Sequence, residues 1–263
     1  MPGVLAGANG VTGLRRQGSA NAGALALIGG RFESDNDPLF AALKPLCRGR
    51  IAVLSMASGY PLEVGQELVE DFRHHGFEAE LLPIFWENRH SSATDPALVA
   101  KLAQFGSVFF SGGDQSRIVE TLVQGDKETP ALQQIRESHR RGGLIAGTSA
   151  GAAIMSGPMI ASGTSLNALS AGVSPPAAAD EDAFRLASGL GFFQWGLVDQ
   201  HFLQRGRIGR LLAGARALDQ TMAFGVDENS ALLVEGDQGR VVGETGVVFL
   251  DLRKARFGEA GYD

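Results

Sequence analysis

Short apolar runs alternate with amphipathic segments from residue 24 to about residue 157. The runs ALALIGG, RIAVLSMAS, FEAELLPIF, SVFFSGG and LIAGTS are typical of buried β-strands. Between them, segments such as PLEVGQELVEDFRHHG and PALQQIRESHRRGG carry apolar residues at helical spacing. Repeated strand–helix units of this kind predict an α/β fold, with a mostly parallel sheet and helices on both faces.

The pattern loosens beyond residue 157. Residues 161–191 are rich in Ala, Gly, Ser and Pro, which predicts a surface loop or insertion. Regular patterning returns at WGLVDQHF, continues through the helical RIGRLLAGARAL, and ends in the strand-like AFGVDENSALLVE and RVVGETGVVFLDL. Because the pattern contains no internal repeat and no domain linker, we expect a flexible tail over residues 1–23 and a single domain over residues 24–263.

Composition and charge narrow the class of protein. A net charge of −6 and a pI near 5.4 argue against a nucleic-acid binder, which needs a basic surface. Cys47 is the only cysteine, so an intrachain disulfide is excluded. No apolar stretch is long enough for a membrane span and the first residues do not resemble a secretory signal, so we expect a cytoplasmic location. The five histidines are scattered, with no H-E-x-x-H motif, and we expect neither a metal nor a cofactor.

The strongest chemical signal is a serine between two glycines at the end of an apolar run. Gly147-Thr148-Ser149-Ala150-Gly151 fits G-x-S-x-G, in which a strand turns sharply into a helix and exposes the serine hydroxyl. The alternative is an ordinary turn of closely packed small residues. The motif predicts that Ser149 is a nucleophile on a nucleophile elbow if a base and an acid accompany it.

His201 is the best candidate for the base. It follows the apolar run of GLVDQHF, which places it at or just past the end of a strand. Surface positions explain the other histidines, apart from a loop position that could bring His90 to a pocket. For the acid that orients His201, the pattern leaves Asp199, Asp227 and Glu228 open, because each comes at the end of an apolar stretch.

An acyl-transfer site also needs backbone donors for an oxyanion. The segment FFSGGDQ ends a predicted strand beside the elbow, and its glycines let the backbone come close to a ligand. We expect the N–H groups of Gly113 and Ala150 to form the oxyanion hole. A tight turn between strand and helix would require the same glycines.

Three arginines follow the predicted base in DQHFLQRGRIGRLL, namely Arg205, Arg207 and Arg210. Positive charge at the start of a helix is disfavoured by the helix dipole, so a merely solvated basic face is the weaker interpretation. Guanidinium groups beside a catalytic base favour recognition of carboxylate or carbonyl groups on a substrate.

Four motifs in this order, SGGDQSRI, GTSAGAAIMS, DQHFLQRGRIGRLL and GVDENSALLV, resemble the cyanophycinase family. These enzymes belong to the serine peptidases that include aspartyl dipeptidase, and the similarity runs from about Ala24 to Val234. The resemblance implies a three-layer α/β sandwich like that of class I glutamine amidotransferases. It also implies a catalytic triad of Ser149, His201 and Glu228.

The resemblance further implies a substrate. Cyanophycin is a polyaspartate backbone with arginine attached to each side-chain carboxyl, and the family's exopeptidases release β-Asp-Arg dipeptides from it. Six positions match those that line the family's substrate pocket: Gln115, Asp199, Gln200, Arg205, Arg207 and Arg210. Arginines would hold aspartyl carboxylates, and acids such as Asp199 would meet substrate guanidinium groups. A homodimer is implied as well.

Three other functions compete with this one. The first is a related peptidase for short Asp-X peptides, against which the three arginines argue. The second is an esterase, which would place the acid before the histidine and have a more apolar acyl pocket. The third is a non-catalytic binding homologue, which would be free to lose any member of the triad.

Overall fold

The computed structural model describes residues 22–175 and 182–258, together with the backbone of residues 4–6. The strands in these ranges are β1 (Val4–Ala6), β2 (Leu25–Ile28), β3 (Ile51–Leu54), β4 (Ala79–Leu81), β5 (Ser107–Phe110), β6 (Val123–Gln124), β7 (Lys127–Glu128), β8 (Ile145–Thr148), β9 (Pro158–Ser162), β10 (Arg185–Ser188), β11 (Leu197–Asp199), β12 (Met222–Val226), β13 (Ser230–Glu235), β14 (Gln238–Gly243) and β15 (Gly246–Asp251). The helices are α1 (Asp37–Leu43), α2 (Pro61–His74), α3 (Arg89–Ser92), α4 (Pro96–Leu102), α5 (Gln115–Leu122), α6 (Pro130–Arg140), α7 (Ala150–Ala153), α8 (Ser165–Ser170) and α9 (Ile208–Ala217), with a 3-10 helix at Lys44–Leu46.

The largest sheet in the described ranges has seven strands in the order β14-β13-β2-β8-β5-β3-β4. From β2 to β4 the neighbours run parallel, whereas β13 pairs antiparallel with both β2 and β14. The parallel strands β2, β3, β5 and β8 are buried along their whole length, as expected when helices cover both faces. The predicted α/β fold with a mostly parallel sheet is therefore confirmed.

Helices pack on the two faces of this sheet and give three layers. On one face, Phe40 of α1 and Phe72 of α2 pack in one core cluster with Phe109 of β5. On the other face, α4, α5 and α6 pack in a cluster that includes Phe110 of the same strand. Side chains of neighbouring strand residues point to opposite faces, so β5 contributes to both layers of core.

A second sheet, in the order β1-β15-β12-β11, carries the segments that complete the site. β11 and β12 run parallel, and α9 packs on them through an apolar cluster that contains Leu197, Leu211 and Ala223. β11 ends two residues before His201. The three residues 227–229 connect β12 directly to β13 of the large sheet, so this turn joins the two sheets.

The predicted loop over residues 161–191 is wrong in part. β9 and β10 pair antiparallel, and α8 lies between them in the sequence. Thr164 caps α8, because its hydroxyl accepts a hydrogen bond from Asn167 N–H. Ala168 of α8 packs in the apolar cluster of α9. The small residues that suggested a loop instead let a short helix lie close to α9, and residues 176–181 lie outside the described residues.

The predicted tail over residues 1–23 lies mostly outside the described residues and stays a prediction. Within it, the backbone of Val4–Ala6 pairs antiparallel with β15. No helix among the described residues has the length and apolarity needed to cross a membrane. The same residues contain no group of three or more His, Cys, Asp or Glu placed to hold a metal ion.

Candidate active site

Ser149 stands in a sharp turn between β8, which ends one residue before it, and α7, which begins one residue after it. Its φ of 53° and ψ of −110° are unusual for a residue with a side chain and store about 1–3 kcal/mol of strain. Two glycines make the turn possible. A Cβ on Gly147 would lie 2.4 Å from the carbonyl oxygen of Gly151, and one on Gly151 would lie 2.5 Å from a carbonyl oxygen of β5. This is the geometry of a nucleophile elbow.

Ser149, His201 and Glu228 form a continuous hydrogen-bonded chain. His201 Nε2 lies 2.8 Å from Ser149 Oγ, and His201 Nδ1 lies 2.6 Å from Glu228 Oε1. With the ring hydrogen on Nδ1, His201 donates to the carboxylate and accepts from the serine hydroxyl, as a general base must. Of the three acids that the pattern left open, Glu228 is the one hydrogen-bonded to the His201 ring.

The end of β2 holds the segments of Ser149, His201 and Glu228 in register. Three consecutive carbonyl oxygens, those of residues 28–30, accept hydrogen bonds from the N–H groups of Ser149 at 2.9 Å, His201 at 2.6 Å and Asn229 at 2.9 Å. Asn229 directly follows Glu228 in the turn after β12. Because these bonds are between backbone groups, the relative positions of the three segments do not depend on side-chain rotamers.

The loop after β2 also surrounds the base and the acid. Gly30, with a φ of 125°, lies against the imidazole, where a Cβ would come within 2.6 Å of three ring atoms of His201. The next residue, Arg31, places Nε 3.7 Å from Glu228 Oε2 and donates to Glu33 Oε1 at 2.9 Å. Any residue but glycine at position 30 would displace the ring.

The surroundings of His201 keep its imidazole neutral. Burial lowers the pKa of His201 below its usual value, and the nearby positive charges of Arg205 and Arg207 lower the pKa further. The hydrogen bond with Glu228 acts in the opposite direction. The net result is a lowered pKa, which leaves Nε2 free to accept a proton at neutral pH.

This lowered pKa predicts the acidic limb of the pH profile. Since the neutral imidazole is the active form, kcat/KM should rise with pH to a plateau, and its midpoint should lie below about 6.5. Arg205→Gln removes a positive charge near the ring, so its midpoint should move to higher pH. The measurement is kcat/KM from pH 4 to 9 for both proteins. A midpoint that stays fixed, or moves to lower pH, would contradict this electrostatic interpretation.

Three backbone N–H groups lie at or next to the turn at Ser149. The N–H groups of Gly112, Gly113 and Ala150 have no acceptor among the described residues. Ala150 is fully buried, and a Cβ on Gly112 would lie 3.3 Å from Ser149 Cβ. A buried N–H group without a partner is rare, because it costs roughly as much as a lost hydrogen bond. Of the three, the N–H group of Ala150 is the buried one, so the oxyanion hole expected of Gly113 and Ala150 stays a prediction.

A cleft of about 460 Å³ opens over these groups. Its size lies within the range for small-molecule sites. The residues that line it are Arg31, Phe32, Ser58, Val64, Glu67, Leu68, Asp71, Gly112, Gly113, Thr148, Ser149, His201 and Arg205. Of the six predicted substrate-binding residues, Arg205 is the one that lines this cleft, and it is exposed, with no ion pair among the described residues.

Three of the remaining five predicted residues, Gln115, Gln200 and Arg207, bond to the neighbouring backbone or to each other. Gln115 is buried, and its Nε2 donates to the carbonyl oxygens of β9 residues 160 and 161, at 3.1 and 2.5 Å. Gln200 Oε1 lies 3.4 Å from Ser149 Oγ and accepts a hydrogen bond from Arg207 at 2.8 Å. Burial lowers the pKa of Arg207 to about 10, so this guanidinium remains charged at neutral pH.

Asp199 and Arg210 form a buried ion pair, with 1% and 3% of their surfaces exposed. Arg210 Nε donates to Asp199 Oδ2 at 2.7 Å, and Nη2 donates to Oδ1 at 2.5 Å. The third nitrogen donates to the carbonyl oxygen of Gly163 at 2.6 Å. The carboxylate expected to meet a substrate guanidinium is therefore bound to a guanidinium of the protein itself.

Breaking this pair should destabilise the protein. Asp199→Asn leaves Arg210 charged and buried without its counter-ion, which costs about 3–5 kcal/mol and should lower Tm by about 10 °C. The matched control is Asp251→Asn, which breaks an exposed bidentate pair with Arg253 and should lower Tm by less than about 3 °C. Thermal unfolding followed by circular dichroism measures both. Equal changes in the two variants would contradict a structural role for the buried pair.

The sequence profile of peptidase family S51 matches residues 25–242. The chain belongs to peptidase family S51. The matched range contains the elbow at Ser149, the base candidate His201 and the acid candidate Glu228. The resemblance to the serine peptidases that include cyanophycinase is therefore confirmed.

Curated relatives from cyanobacteria match most of this S51 chain. Cyanophycinases from Synechococcus elongatus and Thermosynechococcus vestitus are each 33% identical to it over 210 residues, or 79% of the chain. The cyanophycinase of a Nostoc species is 33% identical over 204 residues, or 76% of the chain. The matched region spans 60% of the length of the first two relatives and 63% of the third.

Two solved structures share the fold of this S51 chain. A peptidase from an acI-B1 actinobacterium superposes with a TM-score of 0.63 at 21% identity, and the match covers 89% of this chain and 92% of the other. A putative peptidase E from Listeria monocytogenes superposes with a TM-score of 0.53 at 17% identity, covering 85% and 100% of the two chains. At these identities the likeness concerns the fold alone.

Sequence reasoning missed several groups around the triad. The carbonyl oxygens of residues 28–30 lie at the end of the run ALALIGG, whose glycines indicate the end of a strand and not the role of its carbonyl groups. Arg31, Glu67 and Asp71 line the cleft from positions that the pattern assigned to a loop and to the polar side of a helix. His90, considered for a pocket, is exposed on α3 and does not line the catalytic cleft.

Proposed function

We propose that this chain is a serine exopeptidase that hydrolyses cyanophycin, and that it releases β-Asp-Arg dipeptides through an acyl-enzyme on Ser149. The observation that carries the proposal is the Ser149–His201–Glu228 chain, with contacts of 2.8 and 2.6 Å, on a strained elbow beside unpartnered backbone donors. A serine hydroxyl is a poor nucleophile unless a base of this kind accompanies it.

Acylation begins when Ser149 Oγ attacks the carbonyl carbon of the scissile peptide bond. His201 Nε2 takes the hydroxyl proton as the O–C bond forms, and Glu228 stabilises the resulting imidazolium. The carbonyl oxygen becomes an oxyanion, which accepts hydrogen bonds from the N–H groups of Gly113 and Ala150. As the C–N bond breaks, His201 returns its proton to the leaving amine, and the acyl group remains on Ser149.

Deacylation repeats these steps with water as the nucleophile. His201 takes a proton from the water as its oxygen attacks the ester carbonyl. The second tetrahedral intermediate uses the same backbone donors. When the C–O bond to Ser149 breaks, His201 protonates Oγ, which restores the free enzyme and releases the new carboxyl group.

The substrate assignment is supported by the relatives and by charge. Cyanophycinases from three cyanobacteria align with more than three quarters of this chain. Each unit of cyanophycin carries a free arginine carboxylate, and Arg205 projects into the cleft without an ion pair among the described residues. The proposal also includes a homodimer, which the resemblance implies, and a cytoplasmic location, which the sequence implies. Light scattering after size-exclusion chromatography would test the dimer, and cell fractionation would test the location.

The test is incubation of the purified protein with insoluble cyanophycin, with the products read by mass spectrometry. We expect β-Asp-Arg as the main soluble product, with no free arginine and no internal fragments. α-linked Asp-X dipeptides serve as a second substrate set. Cleavage of those dipeptides without release of β-Asp-Arg would overturn the substrate and retain the serine chemistry. No cleavage of either substrate, with dipeptide binding retained, would favour a binding homologue.

A further inference from the structure

One face of α2 forms a wall of the catalytic cleft. Val64, Glu67, Leu68 and Asp71 all line the cleft, and their spacing of three and four residues places them on one side of the helix. Leu68 is buried in the core below, whereas Glu67 is exposed and Asp71 is half-buried. The helix thus presents two carboxylates, one turn apart, to the same cavity as the nucleophile.

Neither carboxylate has an ion-pair partner in the described part of the chain. The side chains of Glu67 and Asp71 take part in no ion pair and no hydrogen bond there. Like charges four residues apart destabilise a helix, so folding does not favour this arrangement. Burial raises the pKa of Asp71, Glu67 and Glu70 raise it further, and His75 and His74 lower it. A bound cation would relieve the repulsion and stabilise the ionised Asp71.

A buried hydroxyl lies at the same wall. Thr148 is 8% exposed, lines the cleft, and its Oγ1 has no hydrogen-bond partner among the described residues. Side chains two residues apart on a strand point to the same face, so Thr148 shares the face of Ala146, which packs in one cluster with Leu68 of α2. The Thr148 side chain therefore lies on the α2 side of the sheet, and its unpartnered hydroxyl is a hydrogen-bonding group that a ligand donor at this wall would satisfy.

Two arginines line the same cleft. They are Arg31 and Arg205, and the Arg31 side chain is 64% exposed. The cleft thus carries cationic and anionic side chains together with Ser149. A zwitterionic ligand of dipeptide size would place its carboxylate against the arginines and its cation against α2.

We propose that Glu67, Asp71 and Thr148 form a subsite for the cationic side chain of the substrate, a guanidinium, and that this subsite sets the specificity of the enzyme for arginine-bearing peptides. The proposal rests on the proposed function, and it replaces the role expected of Asp199, whose carboxylate Arg210 occupies. A planar guanidinium with five N–H donors can bond to two carboxylates and a hydroxyl at once.

The test compares two ligands that differ in charge and hardly in shape. Citrulline is a neutral isostere of arginine, so β-Asp-Arg and β-Asp-citrulline separate the charge from the size of the side chain. Binding is measured by calorimetry in the Ser149→Ala protein, with and without the double substitution Glu67→Gln and Asp71→Asn. Glu70→Gln is the matched control, because Glu70 is an exposed glutamate of α2 that does not line the cleft.

We expect the Ser149→Ala protein to bind β-Asp-Arg at least about tenfold more tightly than β-Asp-citrulline. The double substitution should remove that preference and leave citrulline-ligand binding within about twofold, which also reports that the protein is folded. Glu70→Gln should keep the preference. An equal affinity for the two ligands before substitution, or a preference that survives the double substitution, would overturn the subsite.

The two proposals fail in different ways. Release of β-Asp-Arg from cyanophycin together with equal binding of the two dipeptides would overturn the subsite and leave the proposed function standing. A charge-dependent preference that the double substitution removes, without any hydrolysis of cyanophycin, would support the subsite and overturn the proposed function. Thr148→Val, which keeps the shape and removes Oγ1, should weaken β-Asp-Arg binding and leave the citrulline ligand unaffected.

Discussion

Replacing Ser149 with alanine is expected to lower kcat on cyanophycin by a factor on the order of 10⁵ to 10⁶, because no other oxygen can form the acyl-enzyme. The alanine has the same backbone constraints at a φ of 53°, so Tm should change by less than about 2 °C. The affinity for β-Asp-Arg should stay within about threefold, since Oγ is a small part of the contact surface. Steady-state kinetics, thermal unfolding and calorimetry measure the three quantities.

A covalent probe tests the role of Ser149 as the nucleophile without the natural substrate. A fluorophosphonate should add to the wild-type protein once, and the modified peptide should be the one that contains Ser149. The control is Ser91→Ala, which removes an exposed hydroxyl of α3 that does not line the cleft and should leave both the rate and the labelling unchanged. Wild-type activity in a purified Ser149→Ala protein would show that the nucleophile is another residue.

The α/β fold could be predicted from the sequence because the parallel strands are buried on both faces of the sheet. Their short apolar runs stand out from the amphipathic helices, as with residues 107–110 before the glycines of SGGDQ. The loop predicted over residues 161–191 was wrong in part because α8 has only six residues. Packing against α9 stabilises this short helix, whereas its intrinsic helix propensity does not. Composition cannot report a contact of that kind.

The candidate site residues that follow the ends of strands could be predicted from the sequence. Ser149 and His201 follow β8 and β11, and ligands of parallel sheets bind at such ends. The acid that orients His201 could not be predicted from the pattern, because Asp199, Asp227 and Glu228 each come at the end of an apolar stretch. Their contacts distinguish them. Asp199 is bound by Arg210, and Asp227 accepts a hydrogen bond from the N–H group of Glu228 at 3.0 Å. Glu228 is the acid whose carboxylate contacts the imidazole of His201.

The α2 wall lay beyond sequence reasoning for a different reason. Glu67 and Asp71 lie on an amphipathic helix whose polar side normally faces water. Only the topology, with β8 beside β2 and β5 and α2 on the Thr148 face of that sheet, turns part of the polar side toward the nucleophile. A residue's distance from the motifs along the chain therefore does not indicate its distance from the chemistry.

The second large effect is expected from Glu228→Gln, which should lower kcat by a factor on the order of 10³ to 10⁴. An amide that donates to Nδ1 holds the imidazole in the wrong tautomer, with the hydrogen on Nε2, where it cannot accept the Ser149 proton. Steady-state kinetics and thermal unfolding distinguish this loss from unfolding. The matched control is Glu244→Gln, an exposed glutamate near the same turn that does not contact His201, and its kcat should stay within about twofold. A Glu228→Gln protein with more than about a tenth of wild-type kcat would show that another group orients the base.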